Sequence, residues 1–302
     1  MQRDGTTSRK EWCITMKVLV TGGAGYIGST ICSALVDAGH TPIVLDSLVT
    51  GRAEFVKHHV FYEGDIADRA LLARIVKDHG DIACCIHCAA RIIIPESVEN
   101  PYLYYTENVS KSIELFHGLK QNGILRVIFS SSASLYATAE DFMVTERSPL
   151  NPMSPYARTK YCMEMALQDF CGANYFKGIA LRYFNPIGAD VDMRTGPFVA
   201  DPSHLLGKLV NTALGVDANF SITGTDWPTR DGSAIRDYVH VWDLAQAHVL
   251  AVEQFDTVFA EEAGNYSVIN LGSGSGVTVK EFVDAFLEVY GKPLTIQNIM
   301  SP

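Results

Sequence analysis

Short apolar runs alternate with stretches of helical periodicity through the first 184 residues. Lys17-Val18-Leu19-Val20-Thr21 has the length and composition of a buried strand. Ile27, Ile31, Leu35 and Ala38 then mark one helical face up to Gly39. The pattern predicts strands over 17–21, 42–46, 59–63, 82–88, 125–130 and 179–184, and helices near 26–39, 68–79, 98–121 and 155–171. Such alternation argues for an α/β chain with a doubly wound parallel sheet covered on both faces. Ligands of such sheets bind outside the carboxyl ends of the strands.

Beyond Asn185 the spacing changes. Residues 186–203 are loop-rich, with Pro186, Gly188, Gly196, Pro197 and Pro202 marking turns. A helix near 205–214, a strand near 219–223 and a helix near 242–254 follow. Thr278-x-x-Glu281 reads as a capping box opening a helix whose inner face is Phe282, Val283, Phe286 and Val289. This is a smaller mixed α/β region, expected to pack over the binding edge of the sheet. No internal repeat or low-complexity tract interrupts the chain.

Chemistry enters at Gly22-Gly23-Ala24-Gly25-Tyr26-Ile27-Gly28, between the first expected strand and helix. Strand, glycine turn and helix together make a pyrophosphate site. Gly22, Gly25 and Gly28 permit a tight turn and close approach, and the helix start offers N–H donors and a positive dipole end. The second strand ends at Asp46. A carboxylate there accepts from a ribose 2′-OH and repels a 2′-phosphate, so NAD is expected over NADP. Arg52 lies close enough in sequence to keep NADP open.

A second cluster is Ser154-Pro155-Tyr156-Ala157-Arg158-Thr159-Lys160. Ser154 suits a helix cap and Pro155 the first helical position. Tyr156 and Lys160, four apart, share a helix face. An ammonium beside a phenol lowers the phenol pKa, which makes Tyr156 a candidate base. Asp65 and Ser130-Ser131-Ser132 also fall at expected strand ends.

Composition narrows the partners. The chain is 47% hydrophobic with a net charge of −10 and has no long Lys/Arg run, which argues against nucleic acid. No apolar stretch approaches the roughly 20 residues of a membrane span. Residues 1–15 carry Arg3, Arg9 and Lys10 without a hydrophobic segment, so a disordered tail is expected and Met16 is a candidate start. Seven scattered cysteines suit a reducing, cytoplasmic setting. Cys85-x-x-Cys88 beside His87 resembles a metal motif, but i and i+3 of a strand face opposite ways. No metal site is expected.

These residues resemble the extended short-chain dehydrogenase/reductase superfamily. Arg182-Tyr183-Phe184-Asn185-Pro186-Ile187-Gly188-Ala189, Trp227-Pro228-Thr229-Arg230-Asp231-Gly232, Ile235-Arg236-Asp237-Tyr238-Val239-His240-Val241 and Ser130 to Tyr136 are similar to the signatures of its UDP-glucose 4-epimerases. Ala133 and Ser134 follow Ser132 where 4,6-dehydratases carry an Asp-Glu pair. UDP-glucuronate decarboxylases have Asn-Thr-Tyr-Gly-Pro where this chain has Asn185-Pro186-Ile187-Gly188-Ala189. The resemblance implies a Rossmann-type NAD domain over 16–184 and a UDP-sugar region over 185–302. It implies interconversion of UDP-glucose and UDP-galactose, in galactose metabolism, by C4 oxidation, rotation of the 4-keto sugar and re-reduction.

Residue by residue, the resemblance makes Tyr156 the base, Lys160 its partner on the nicotinamide ribose and Ser132 the proton relay. Around NAD it places Gly22, Gly25, Tyr26, Ile27, Gly28, Asp46, Ser47, Leu48, Asp65, Ile66, Cys88, Ala89, Ala90, Asn108, Lys160 and Phe184. Around the UDP-hexose it places Ser132, Tyr156, Asn185, His204, Leu205 and Arg236. A homodimer is implied through helices of the first domain.

The chain departs from the family pattern at several positions. Ile92 stands where many members carry a Lys, with Arg91 beside it. Glu107-Asn108-Val109 replaces Asn-Asn-Val, and Ala137 replaces a Gly. The family pattern continues past Pro302 into an Arg-Arg-x-Gly-Asp segment that contacts diphosphate and uridine. Residues 1–302 are therefore expected to keep the fold and NAD, with UDP-sugar binding weakened by about 1.5–3 kcal/mol, the scale of one charged hydrogen bond. An NAD- and UDP-sugar-binding protein without turnover, or another UDP-sugar-modifying short-chain dehydrogenase, is the alternative reading. Against the former stand Ser132, Tyr156 and Lys160, which a pure binder does not need.

Overall fold

The computed structural model describes residues 15–139, 141–199, 201–260 and 264–300. The expected N-terminal tail lies outside them except for Thr15. The first half runs β1 (Lys17–Thr21), α1 (Tyr26–Asp37), β2 (Thr41–Asp46), α2 (Ala53–Val56), β3 (Val60–Glu63), α3 (Arg69–His79) and β4 (Ile82–His87). It continues with α4 (Ile94–Glu99), α5 (Pro101–Tyr104), α6 (Lys111–Gln121), β5 (Arg126–Ser132), α7 (Pro155–Gly172) and β6 (Lys177–Tyr183). The second half comprises β7 (Asn185–Ile187), α8 (Leu205–Ala213), β8 (Phe220–Thr223), β9 (Ile235–His240), α9 (Val241–Glu253) and α10 (Phe255–Val258). Then come β10 (Tyr266–Leu271), β11 (Gly276–Thr278), α11 (Val279–Tyr290) and β12 (Ile296–Ile299).

Seven strands form one sheet in the order β10-β6-β5-β4-β1-β2-β3, with every pair parallel. Strand order reverses between β1 and β4, which opens a crevice at their carboxyl ends. Val18, Leu19 and Val20 are fully buried, because both faces of β1 are covered. One face packs on α1 and α9, the other on α3, α6 and α7. Cys84 and Cys88 belong to the first core and Cys85 to the second, so the two sulfurs of the Cys-x-x-Cys spacing diverge. Among the described residues no group of His, Cys, Asp and Glu could hold a metal ion.

Two expectations change. The helix expected over 98–121 is broken into α4, α5, a π-helical turn over Tyr105–Ser110, and α6. Pro101 cannot donate, and Asn100 leaves helical space (φ −133°, ψ 69°) to cap Leu103. From the second half of the chain, β10 pairs with β6 and α9 packs on α1. Val289 is 89% exposed, because the inner row of α11 runs through Val279, Phe282, Val283, Phe286 and Leu287. The Thr278–Glu281 capping box is present.

The remaining strands form two small sheets, β11-β9-β7 and β12-β8. A third, smaller core joins α8, β8 and α11 through Leu209, Phe220, Ile222 and Val283.

Candidate active site

The glycine turn caps the crevice. Gly22 adopts φ +72°, and a Cβ there would meet the Ala89 nitrogen at 2.6 Å. A Cβ on Gly28 would stand 2.2 Å from the Gly22 carbonyl oxygen, and one on Gly25 3.3 Å from the same atom. At Gly22 and Gly28 backbone therefore lies against backbone, which only hydrogen side chains allow. The α1 N-terminus begins at Gly25 with no side-chain cap, so its amide donors face the turn unblocked by a side chain. Tyr26 donates to the Gly188 carbonyl at 2.7 Å and ties this helix to the second half. Ile27 packs into the core behind it.

Asp46 is 8% exposed and accepts from two backbone amides: Oδ2 from Ala24 N (2.9 Å), Oδ1 from Leu48 N (2.8 Å). Each oxygen keeps a lone pair. Ser47 is exposed at the tip, and Leu48 leans on the core at φ 58°. Arg52 donates to the Phe198 carbonyl and lies 5.0 Å over the Phe198 ring. Asp65 follows β3, with Ile66 buried beside it. Cys88, Ala89 and Ala90 follow β4, half-buried, and Phe184 follows β6 against Gly272.

Asn108 sits inside the helical break after β4. It is fully buried within the π turn; Oδ1 accepts from Arg91 N, and Nδ2 donates to Arg91 O and Thr159 Oγ1. Asn108 thereby braces the loop after β4 against α7. The Arg91 guanidinium turns to Glu96 at 3.5 Å.

Helix α7 starts as its residues dictate, with Ser154 Oγ accepting from Ala157 N and Pro155 next. Tyr156 and Lys160 emerge one turn apart, beside the end of β5. Lys160 is 3% exposed and donates to the Ser130 carbonyl at 2.7 Å. Burial brings its pKa down to about 8, partly opposed by Cys88 and Glu164. The expected depression of Tyr156 is not found. Burial raises its pKa, opposed in part by the nearby Ser132 hydroxyl, whose Oγ also donates to Ser134 Oγ at 2.9 Å. The ammonium is aimed at Ser130 instead.

A buried network escaped the motif reading. Arg182 and Glu164, each 4% exposed, form a two-point ion pair that also takes Ser131. Arg182 reaches Tyr136, whose hydroxyl donates to Asn270. Tyr183 joins Ser130 and His248. Their sequence signal was weak, because these partners lie 18 to 134 residues apart.

Of the expected sugar-nucleotide residues, Asn185 and Arg236 share the β11-β9-β7 sheet, where Asn185 is in register with Tyr238. Alternation along β9 puts Arg236 on the same face as Tyr238. Arg236 is exposed and donates to its neighbour's carbonyl. Asp237 is spent on Ser273 and Gly274 rather than on Arg236. His204 caps α8 through Gly207 N, and Leu205 opens that helix over the third core.

Residues 18–272 match the family model described as the NAD dependent epimerase/dehydratase family. The chain is 39% identical over 282 residues to UDP-glucose 4-epimerase of Rhizobium leguminosarum bv. trifolii, covering 93% of this chain and 84% of that one. It is 40% identical over 279 residues to the Rhizobium meliloti (strain 1021) enzyme of the same name, covering 92% and 83%. The crystal structure of UDP-glucose 4-epimerase from Brucella ovis in complex with NAD superposes with a TM-score of 0.89 at 36% identity, covering 95% of this chain and 87% of that one. The Bifidobacterium longum enzyme in complex with NAD+ and UDP gives 0.86 at 30% identity, with the same coverage. With its parallel sheet, glycine turn and Ser132–Tyr156–Lys160 grouping, the chain belongs to the NAD dependent epimerase/dehydratase family.

Proposed function

We propose that this chain interconverts UDP-glucose and UDP-galactose with NAD as its resident cofactor. The observation that carries the reading is the meeting of Ser132, Tyr156 and Lys160 at the sheet edge that also holds the glycine turn and Asp46. NAD fits this edge: a Cβ on Gly22 or Gly28 would collide with backbone, the start of α1 has no side-chain cap, and Asp46 has lone pairs for ribose hydroxyls. Bound there, NAD supplies reversible hydride exchange at C4 of the sugar.

Tyr156 removes and returns the O4 proton, and the Ser132 hydroxyl passes it. Burial keeps Tyr156 protonated in the free protein at neutral pH. The phenolate that accepts the O4 proton is favoured by the positive nicotinamide of bound NAD, with the Ser132 hydroxyl acting in the same direction. Lys160, held by Ser130, offers its remaining N–H bonds to a ribose hydroxyl. Arg236 meets the diphosphate as a charge-assisted donor, and Asn185, His204 and Leu205 line the nucleotide's path. Purified protein mixed with UDP-galactose should produce UDP-glucose without added reductant. Folded, NAD-loaded protein that leaves UDP-galactose unchanged would refute the reading.

The protein acts as a homodimer in a cytoplasmic, reducing setting. Exposed Tyr102, Ile113 and Met165 on α5, α6 and α7 support a partner face, and six described cysteines are unpaired. No described helix is long and apolar enough to cross a membrane. A sedimentation mass of one chain at micromolar concentration would exclude the dimer.

A further inference from the structure

Lys111 opens α6 between two carboxylates. Its Nζ lies 2.6 Å from Asp65 Oδ2 and 2.7 Å from Glu107 Oε1. The Glu107 pair is an ordinary contact along one helix. The Asp65 contact is not: it spans 46 residues and joins the tip of β3 to the start of α6. Burial works against the ammonium, but the two carboxylates outweigh it and raise its pKa.

Asp65 is held from two sides. Oδ1 accepts from Ala67 N at 2.9 Å while Oδ2 takes Lys111. A carboxylate oxygen accepts two hydrogen bonds, so lone pairs remain. The side chain is still 42% exposed, open to a ligand at the carboxyl edge of the sheet. A carboxylate fixed in this way accepts an N–H donor and rejects an acceptor. Without Lys111, Asp65 and Glu107 would repel one another and Asp65 would be free to rotate away.

We propose that Lys111 is a positioning residue for the adenine end of the dinucleotide: it locks Asp65 as acceptor for the adenine amino group and cancels the charge Glu107 would add. The proposal rests on the reading of Asp65 as a cofactor residue given above. It also accounts for how the chain accommodates a glutamate at position 107.

The test is equilibrium titration of NAD-depleted protein with NAD and with nicotinamide hypoxanthine dinucleotide, whose carbonyl replaces the amino group. Lys111→Met should weaken NAD binding about tenfold, the scale of one charge-assisted hydrogen bond. Binding of the hypoxanthine analogue should change less than about twofold, so the preference for adenine shrinks. Lys111→Arg, which keeps the charge, should restore most of the preference. The NAD retained per chain after dialysis gives a second readout that needs no depletion. Equal weakening toward both dinucleotides would mean a merely structural role and overturn the proposal. Unchanged NAD binding in Lys111→Met with loss in Asp65→Asn would overturn it while sparing Asp65. No loss in either variant would overturn the reading of Asp65 as well.

Discussion

The Lys160 ammonium donates to the Ser130 carbonyl at 2.7 Å, at the end of β5. Phe129 lies under the cation at 5.0 Å. The bond anchors α7 to the end of β5 and sets where Tyr156 emerges. It leaves the cation in a nearly dry site, which has a measurable consequence.

Folded Lys160 has its pKa lowered from 10.5 to about 8. Between those values the unfolded chain keeps a proton that the folded protein has released, so stability rises with pH across that window. Lys160→Met lacks this limb. Denaturant midpoints from about pH 7.5 to about 10.5 should climb for the parent relative to the variant; parallel curves would mean the ammonium is not desolvated.

Tyr156→Phe removes the proposed base while keeping the ring. Turnover of UDP-galactose should fall by at least about a hundredfold, the usual scale for a general base. NAD content per chain should stay unchanged. A rate within a fewfold of the parent would dismiss Tyr156 as the base.

Gly28→Ala should abolish NAD retention, because the new methyl would sit 2.2 Å from the Gly22 carbonyl oxygen and force the turn open. Gly172→Ala, with nothing within 4 Å of its Cβ, is the control and should retain NAD normally. Bound NAD after gel filtration distinguishes the two.

His248 is fully buried, and burial lowers its pKa to about 4, so it is neutral at pH 7. Its Nδ1–H donates to the Leu244 carbonyl at 2.8 Å, which makes Nε2 an acceptor. The Tyr183 hydroxyl lies 2.5 Å from Nε2 and 2.7 Å from Ser130 Oγ. Tyr183→Phe leaves Nε2 bare and should cost about 1–3 kcal/mol in urea unfolding. The His248 contribution is present above its ordinary pKa of 6.5 and lost as pH falls toward 4, so His248→Gln should flatten that acid limb.

Arg182→Met would strand the Glu164 carboxylate in the interior and should cost about 3–5 kcal/mol. Adding Glu164→Leu should recover much of the loss, since an apolar pair needs no solvation. Urea midpoints at a constant slope would show it. A double variant as unstable as the single one would place the cost in lost packing.

The sheet strands through β6 and helices α1, α3 and α7 were legible because each carries its own period and punctuation: Gly39 after α1, Asp68 before α3, Ser154-Pro155 before α7. The break inside 98–121 was partly legible in Asn100-Pro101, but the π turn was not. Nothing local distinguishes a π turn from an α turn, and it persists because Asn108 satisfies Arg91 and Thr159 from inside it. The strand at β10 was missed because its partner β6 lies far back along the chain.

The sequence by itself determined the glycine cradle, the carboxylate at the end of β2 and the Tyr156–Lys160 spacing, since turns, caps and helix faces depend on residues a few positions apart. Only the tertiary structure decided which charges meet. It aimed Lys160 at Ser130, buried Arg182 on Glu164, spent Asn108 on the backbone and set Lys111 between Asp65 and Glu107. Such pairings depend on which strand ends and helix starts the sheet order brings together, and on how much water the packing leaves between them.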